Sequence, residues 1–225
     1  PTSPTTQPTP LLSLPWWRSI HHRWQKKHYA GTEFAPLFDT PPDNEWVSLD
    51  CETTGLNVKS DHLLSIGAVR IAGQRILSSE RLEMVIQPTR DIPAESIRVH
   101  RLREADVADG LPVEEAMRRL LAFIGSRPLV GYYLEFDVAM INRALKPLFG
   151  FKLPQAQIEV SALYYDYKFR QLPPYQQYDN ADIDLRFNTL MADLELPTRD
   201  AHDALNDAVM AALAFIKLRS QAATT

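Results

Sequence analysis

The spacing of apolar residues between positions 45 and 87 is typical of a series of strands. Continuous or alternating apolar runs of this length predict strands at 46–51, 63–72 and 81–87. Gly73 follows the second run and supplies a turn. Because the links between these predicted strands are short, the pattern indicates an antiparallel meander.

The rest of the chain alternates between predicted helices and short strands, which indicates an α/β domain. A polar stretch at 171–184 that contains prolines predicts a long loop. The predicted elements are a helix opened by Pro112 and Glu114 with the apolar stripe Met117, Leu120, Leu121 and Ile124, a strand at 129–132, a helix from about Asp137 to Pro147, a strand at 157–161, and helices at 184–194 and 202–220, the last with the stripe Leu205, Ala208, Val209, Ala212 and Ile216.

The first 42 residues differ in composition from the others, which predicts an N-terminal arm at 1–42 and a single folded domain at 43–225. The arm holds eight of the 17 prolines and begins with a Ser/Thr/Pro/Gln tract that cannot bury a core. It is also aromatic and basic, and Trp17, Ile20 and Trp24 would share one face of a helix. Two interpretations stay open: these side chains pack on the domain, or they contact a membrane surface or nucleic acid.

The overall composition narrows the classes of function. A formal net charge of −4 excludes binding of a polyanion through a broad basic coat, so such a ligand needs a local groove or metal ions. Cys51 is the only cysteine, which excludes an intrachain disulfide and a thiolate zinc cluster. No signal peptide is visible, and the longest apolar run, 208–216, is too short for a transmembrane segment. A reducing, cytoplasmic location is therefore expected.

Two acidic residues at the end of the first predicted strand are the strongest chemical signal. Asp50 and Glu52 are two positions apart, so on a strand both side chains project from one face while Cys51 points toward the core. Val47 and Leu49 indicate a buried strand, where adjacent negative charges resist ionising together unless a cation neutralises them. The pair predicts a divalent metal site, although a solvated edge strand would also tolerate it.

Two later segments carry further candidates. Asp137 lies where a predicted strand turns into a helix, a position that acidic residues also occupy merely to stabilise the helix N-terminus. His202 and Asp207 are about 140° apart on a regular helix, so they face one site only if His202 precedes the helix proper. A solvated acidic helix face explains this segment equally well on these residues alone.

Together these motifs resemble those of the DEDD superfamily of 3′–5′ exonucleases, in the histidine branch that includes the proofreading epsilon subunit of bacterial DNA polymerase III. The resemblance extends from about Trp46 to Leu218. Its motifs are Asp50-Cys-Glu-Thr-Thr-Gly55, Leu64-Ser-Ile-Gly-Ala68, Val99-His-Arg-Leu102, Gly131 to Asp137, and His202 to Asp207. The resemblance implies an α/β, ribonuclease H-like fold, with a central five-stranded mixed sheet flanked by helices, and makes 43–225 an exonuclease domain.

The resemblance also implies a set of site residues and a reaction. The metal ligands would be Asp50, Glu52, Asp137 and Asp207, holding two divalent cations, with His202 as the catalytic base. All-oxygen ligands favour Mg²⁺ or Mn²⁺ over zinc. The residues that contact the nucleic acid 3′ end would be Thr53, Leu56, His100 and Phe136. The expected reaction releases nucleoside 5′-monophosphates from DNA 3′ ends, with single-stranded DNA favoured.

One departure from the family pattern bears on the substrate. This chain has Tyr132-Tyr133 where relatives often carry His-Asn, which changes the surroundings of the terminal nucleotide. Two alternatives stay open, an exoribonuclease of the same branch acting on RNA and a catalytically silent nucleic-acid-binding module. Leu12-Ser-Leu-Pro15 faintly resembles peptides that bind bacterial sliding clamps but lacks their glutamine. The sequence therefore predicts neither a clamp or polymerase partner nor an oligomeric state.

Overall fold

A computed structural model describes the chain at residues 23–87, 109–178, 181–198 and 203–222. Its regular elements, in chain order, are β1 (Glu45–Thr53), β2 (Leu63–Ala72), β3 (Arg75–Val85), α1 (Val113–Ile124), β4 (Leu129–Gly131), α2 (Leu134–Phe149), β5 (Gln157–Glu159), α3 (Val160–Gln171), α4 (Phe187–Asp193) and α5 (Ala204–Ala222), with short 3-10 helices at Ala35–Phe38 and Pro174–Gln176. Among the described residues, no helix combines the length and apolar character needed to cross a membrane.

The five strands form one mixed sheet in the order β3-β2-β1-β4-β5. β1 pairs antiparallel with β2 and parallel with β4, and β4 pairs parallel with β5. β1 is therefore the central strand. Because β1, β4 and β5 run in the same direction, their carboxyl ends lie at one edge of the sheet, where the segments that follow them can meet.

Helices cover both faces of the sheet, so the predicted five-stranded α/β architecture is confirmed. Val47, Leu49 and Cys51 of β1 pack with α1 and α2 on one face, since alternate residues of a strand point the same way. The opposite face is covered by α3, α4 and α5. There the Ser48 hydroxyl donates a hydrogen bond to the Ala208 carbonyl of α5 at 2.7 Å. Cys51 thus points into the core, as predicted.

The boundaries of β3 were predicted wrongly. The strand begins at Arg75 and ends at Val85, whereas the apolar alternation indicated 81–87. Its first half is mostly exposed or half-buried and is held to β2 by backbone hydrogen bonds, with an irregularity in register near Val69 and Arg70. An edge strand without a continuous buried face carries no apolar period, so the pattern missed this half.

The helix around Asp137 is longer than predicted at both ends. α2 begins at Leu134 and passes Pro147 to end at Phe149. Proline lacks only its own N–H, which here removes one hydrogen bond in the last turn. The helix then closes at Gly150, whose φ of 79° suits glycine and whose N–H donates to the Lys146 carbonyl.

The predictions for the last elements need smaller corrections. The strand expected to reach residue 161 ends at Glu159, and the helix expected at 184–194 is Phe187–Asp193. In α5, Leu205, Val209 and Ile216 are only half-buried, although the sequence placed them in the packing stripe. The buried residues of α5 are Ala204, Ala208, Met210, Ala211, Ala212, Ala214, Phe215 and Leu218. The buried face is wider than one stripe because α5 contacts the sheet on one side and α3 and α4 on another.

The described part of the N-terminal arm contributes aromatic residues to the core. Tyr29 stacks on Phe38 with ring centroids 5.2 Å apart, and its hydroxyl donates to the Phe149 carbonyl at 3.3 Å. Trp24, by contrast, is 57% exposed. The division of the chain at residue 42 stays a prediction, and Trp17 and Ile20 lie outside the described residues.

Candidate active site

Three carboxylates meet at the carboxyl end of β1. Asp50 and Glu52 project from the face of the sheet that α5 covers, and Asp207 lies in the first turn of α5. One carboxylate oxygen from each of these three residues lies within 4.8 Å of the other two. Glu52 is buried and the other two are half-buried. The three acidic groups therefore share a space of the size that one cation and its ligands occupy.

A glycine in β2 allows α5 to approach β1 so closely. Gly67 pairs with Asp50 across the two strands. A methyl group on Gly67 would lie 2.1 Å from the backbone nitrogen of Leu205 and 2.2 Å from the carbonyl carbon of Ala204. No side chain fits there, so the backbone of the first turn of α5 rests directly on the strand next to Asp50.

The start of α5 is fixed by a side chain just before it. The Asp203 carboxylate accepts a hydrogen bond from the Asn206 N–H at 2.9 Å, which is the usual N-cap arrangement. The helix begins at Ala204, so His202 precedes it in the sequence, which is the condition for His202 and Asp207 to serve one site. His202 itself lies outside the described residues.

Asp137 lies beside the three-carboxylate group without being part of it. It is buried in the first turn of α2, and its pKa is raised from 3.8 to about 8, with burial as the largest cause. Hydrogen bonds from the backbone and thiol of Cys51 lower the pKa against this effect, and the negative charges of Glu52 and Glu159 raise it further. Burial also raises the pKa of the Cys51 thiol, which keeps the thiol protonated and able to donate to Asp137.

Within the described part of the chain, the charged neighbours that shift the pKa of Asp50 are acidic. The pKa of Asp50 is held well above its usual range. Burial is the largest cause, followed by the negative charges of Asp137, Asp207 and Glu52. A divalent cation would reverse this effect, because carboxylates close to a bound metal ion ionise readily. The donor set consists of carboxylate oxygens, so these residues fit a hard divalent cation.

The other predicted site residues occupy different environments. Thr53 is buried, and its hydroxyl donates to the Gly55 carbonyl at 2.8 Å. Leu56 is 86% exposed, in the loop that follows β1. Phe136 is partly buried against the core on the α2 side of the sheet. His100 lies outside the described residues, so its predicted role stays a prediction.

Sequence reasoning missed one residue that organises this edge of the sheet. The Glu159 carboxylate, at the end of β5, accepts hydrogen bonds from the N–H groups of Tyr133 and Leu134 at 3.0 and 2.8 Å. It also accepts from the N–H and hydroxyl of Ser161. Glu159 thus joins the N-termini of α2 and α3, and α2 carries Asp137. Glu159 falls inside the strand predicted at 157–161, and no helix was predicted after it, so no local signal pointed to this role.

Comparison with known protein families agrees with this geometry. The family model described as exonuclease matches residues 47–215, which include the whole carboxylate group. The chain belongs to this exonuclease family. The predicted resemblance to DEDD-type 3′–5′ exonucleases of the histidine branch, with a ribonuclease H-like fold, is thereby confirmed.

Curated relatives of this exonuclease domain include proteins named as DNA polymerase III epsilon subunits or as epsilon-like. The chain is 30% identical over 190 residues to a DNA polymerase III subunit epsilon-like protein of Rhodobacter capsulatus, covering 84% of this chain but 25% of that protein. It is 26% identical over 176 residues to the DNA polymerase III subunit epsilon of Aquifex aeolicus, covering 78% of this chain and 81% of that one. The chain therefore spans a quarter of the first of these relatives and four-fifths of the second.

Solved structures share the fold of this exonuclease domain. Exonuclease I of E. coli in complex with a dA16 oligonucleotide superposes with a TM-score of 0.64 at 15% sequence identity. The superposition covers 80% of this chain and 41% of exonuclease I. A zinc-bound form of that enzyme in complex with single-stranded DNA gives the same values. At this level of identity the likeness concerns the fold.

The raised pKa of Asp137 predicts how stability depends on pH and metal. Between pH 4 and 8 the native protein holds a proton on Asp137 that the unfolded chain releases, so the metal-free protein should lose stability as pH rises through this window. Metal ions need the ionised carboxylates, so stabilisation by Mn²⁺ should increase over the same window. Thermal unfolding with Mn²⁺ or with EDTA across this range measures both trends.

Two variants give the controls for this experiment. Asp137→Asn should reduce the pH dependence of the melting temperature in EDTA, and the raised pKa of Asp50 should account for what remains. Asp166→Asn, which changes an exposed acid of α3, should leave it as in the wild type. A metal-free protein whose melting temperature rises steadily from pH 4 to 8 would contradict the assignment of a raised pKa to Asp137.

Proposed function

We propose that this protein is a metal-dependent exonuclease that degrades single-stranded DNA from its 3′ end and releases nucleoside 5′-monophosphates. The observation that carries the proposal is the group formed by Asp50, Glu52 and Asp207 within the region that the exonuclease family model matches. These acids come from a central strand and from a helix more than 150 residues later, and a glycine allows their approach. Such an arrangement has no evident structural use, because it concentrates negative charge at a partly buried site.

The roles of the residues follow from their positions and chemistry. Asp50, Glu52 and Asp207, with Asp137 beside them, would hold two divalent cations, with Mg²⁺ or Mn²⁺ preferred by oxygen ligands. Bound there, the cations would activate the attacking water and stabilise the leaving 3′-oxygen. His202 would accept the proton from that water, since an imidazole with an ordinary pKa is neutral near pH 7.

The choice of substrate is supported by the relatives and by the surface of the site. The relatives are named as parts of DNA polymerase III, and exonuclease I has been solved with single-stranded DNA. Thr53, Leu56, His100 and Phe136 would contact the terminal nucleotide, with Leu56 offering an exposed apolar side chain. The excess of negative charge in the chain means that the strand must be held by this local site and its cations. Cytoplasmic location is part of the same proposal.

A side-by-side nuclease assay tests the proposal. Labelled DNA and RNA strands of matched sequence are incubated with the protein in Mg²⁺, Mn²⁺ or EDTA, and the products are separated by size. The expected result is stepwise shortening of DNA from the 3′ end with either cation and none in EDTA. Faster shortening of RNA would assign the exoribonuclease function, because the 2′-OH distinguishes the two strands. Binding of either strand without cleavage would identify a silent nucleic-acid-binding module.

Replacing the proposed base should lower the rate without removing metal binding. His202→Ala is expected to reduce kcat by about 10²-fold, within the range that a positioned acid–base group contributes. In the wild type the rate should fall as the pH drops through the pKa of the imidazole. In the variant this part of the profile should be lost. Rates of both proteins from pH 5.5 to 9, with Mn²⁺ affinity as a control, provide the measurement; an alanine variant with a near-normal rate would transfer the role to another group.

A further inference from the structure

The residue at the start of α2 combines two unusual properties. Tyr133 has φ 52° and ψ 34°, a left-handed conformation that a bulky side chain rarely adopts. Its side chain is nevertheless 61% exposed, although tyrosine usually buries its ring. Strained backbone and an exposed aromatic ring are both costly, and residues that keep such features cluster at functional sites.

Tyr133 lies at the edge of the sheet that carries the carboxylates. β4 pairs in parallel with β1 through Ser48 and Val130 and ends at Gly131, so Tyr132 and Tyr133 follow at the carboxyl end of β4, the edge of the sheet where Asp50 and Glu52 lie. Tyr133 follows directly and precedes Asp137 by four residues. The exposed ring is thus at the same edge of the sheet as the candidate active site.

The position of Tyr133 is fixed by neighbours on both sides. Its backbone N–H donates to the Glu159 carboxylate at 3.0 Å, which holds the left-handed conformation from the end of β5. Its ring contacts Tyr132 edge to face, with centroids 4.5 Å apart. Tyr132 in turn packs on Phe187 at 4.5 Å and donates its hydroxyl hydrogen to the Leu185 carbonyl at 2.9 Å. The exposed ring therefore stands on a supported row of aromatic side chains.

A supported and exposed aromatic ring next to a nuclease site is suited to one kind of ligand. Unstacked bases of a single strand bind by stacking on aromatic side chains, and this contact tolerates any base. Phe136, proposed to contact the terminal nucleotide, lies one tight turn further along, with its N–H donating to the Tyr133 carbonyl at 3.0 Å. Phe136 is partly buried whereas Tyr133 is open to solvent, so Tyr133 is the more exposed of the two rings.

On these grounds we propose that Tyr133 is a stacking platform for the base next to the terminal one in a single-stranded substrate. This inference rests on the proposed exonuclease function and adds to it a binding position outside the site of cleavage. The ring is a departure from the family pattern, because relatives often carry asparagine at this position. Asparagine adopts the left-handed conformation more readily but offers no ring.

The test compares a substrate that has a second base with one that lacks it. The first is a short single-stranded deoxyoligonucleotide, and the second is an aryl ester of thymidine 5′-monophosphate, which has only the terminal base. Tyr133→Asn removes the ring and suits the left-handed backbone, while Tyr133→Phe keeps the ring. Leu148→Asn is a matched control, because Leu148 is also exposed and lies at the other end of α2, about 22 Å away at 1.5 Å per residue.

For Tyr133→Asn we expect KM for the oligonucleotide to rise by about 5- to 150-fold, the usual worth of one stacked base, with kcat nearly unchanged. Hydrolysis of the aryl ester should match the wild type within about twofold. Tyr133→Phe and Leu148→Asn should resemble the wild type on both substrates. Because asparagine relieves the backbone strain, the melting temperature of Tyr133→Asn should stay level or rise, so the loss cannot be ascribed to unfolding.

Three results would overturn the inference. Unchanged KM for the oligonucleotide in Tyr133→Asn, with an active wild type, would remove the stacking role and leave the proposed function intact. Equal losses on both substrates would show that Tyr133 acts on the terminal nucleotide or on the shape of the site instead. A wild type that cleaves neither substrate would contradict the proposed function itself, and this inference with it.

Discussion

Asp50→Asn is expected to abolish exonuclease activity while the metal-free protein stays as stable as the wild type or becomes more stable. Asp50 is central to the candidate metal site, so the substitution should remove the contribution of the cations to the reaction. Metal ions stabilise developing charge by several kcal/mol, and each 1.36 kcal/mol is a factor of ten in rate. The loss should therefore be on the order of 10³-fold or more.

The stability part of this prediction follows from the charges around Asp50. Burial and the neighbouring charges of Asp137, Asp207 and Glu52 raise its pKa, so its ionised form is unfavourable without a cation. A neutral amide of the same shape removes this repulsion. Melting temperatures in EDTA, and rates on single-stranded DNA in Mg²⁺, measure the two effects.

The exposed-acid variant Asp166→Asn is the matched control, and it should change neither quantity. An Asp50→Asn protein that keeps its activity but melts clearly earlier would show that this carboxylate has a structural role. Loss of both activity and stability would also contradict the account, because it would mean that the charge is compensated in the metal-free protein.

Gly67→Ala is the second substitution for which we expect a large effect, although it adds only one methyl group and changes none of the carboxylates. The added carbon would lie 2.1 Å from the Leu205 nitrogen, so the first turn of α5 must move away from β2. Overpacking of this kind costs about 1–3 kcal/mol of stability. The movement also carries Asp207 away from Asp50, and a misplacement of about 1 Å can cost 10²-fold in rate.

Ala72→Ser is the matched control for Gly67→Ala. It also adds a single heavy atom to β2, but at the half-buried end of the strand. Its melting temperature and its kcat should stay close to the wild type. For Gly67→Ala we expect weaker Mn²⁺ binding together with the loss of activity. Normal activity in that variant would mean that α5 does not need its close contact with β2 to position Asp207.

The strained start of α2 shows why some of this site was not predictable. The sequence placed the start of the helix near Asp137, whereas the helix begins at Leu134 because Glu159 accepts the N–H groups of Tyr133 and Leu134. Glu159 is 25 residues away from Leu134 in sequence. A hydrogen bond across this separation leaves no local pattern, so neither the earlier start nor the left-handed Tyr133 could be read from the neighbouring residues.

Features set by the local geometry of the chain were determined by the sequence alone. Asp50 and Glu52 share one face and Cys51 points into the core because side chains alternate along any strand. The apolar stripe of α1 was predicted correctly because 3.6 residues per turn fixes which residues align. The acidic residues, the histidine and their order along the chain indicated the exonuclease family, which the family model then matched.

What the tertiary structure decided was how separate segments meet. The sequence could not tell whether Asp207 faces a site or solvent, and the contact of α5 with Gly67 brings it to Asp50 and Glu52. It could not show that Asp137 lies against Cys51 and close enough to Asp50 to raise the pKa of that carboxyl, and its role as a metal ligand stays a prediction. These outcomes depend on close packing between elements far apart in the chain, where a single methyl group or carboxylate determines the distance, and local periodicity carries no record of such contacts.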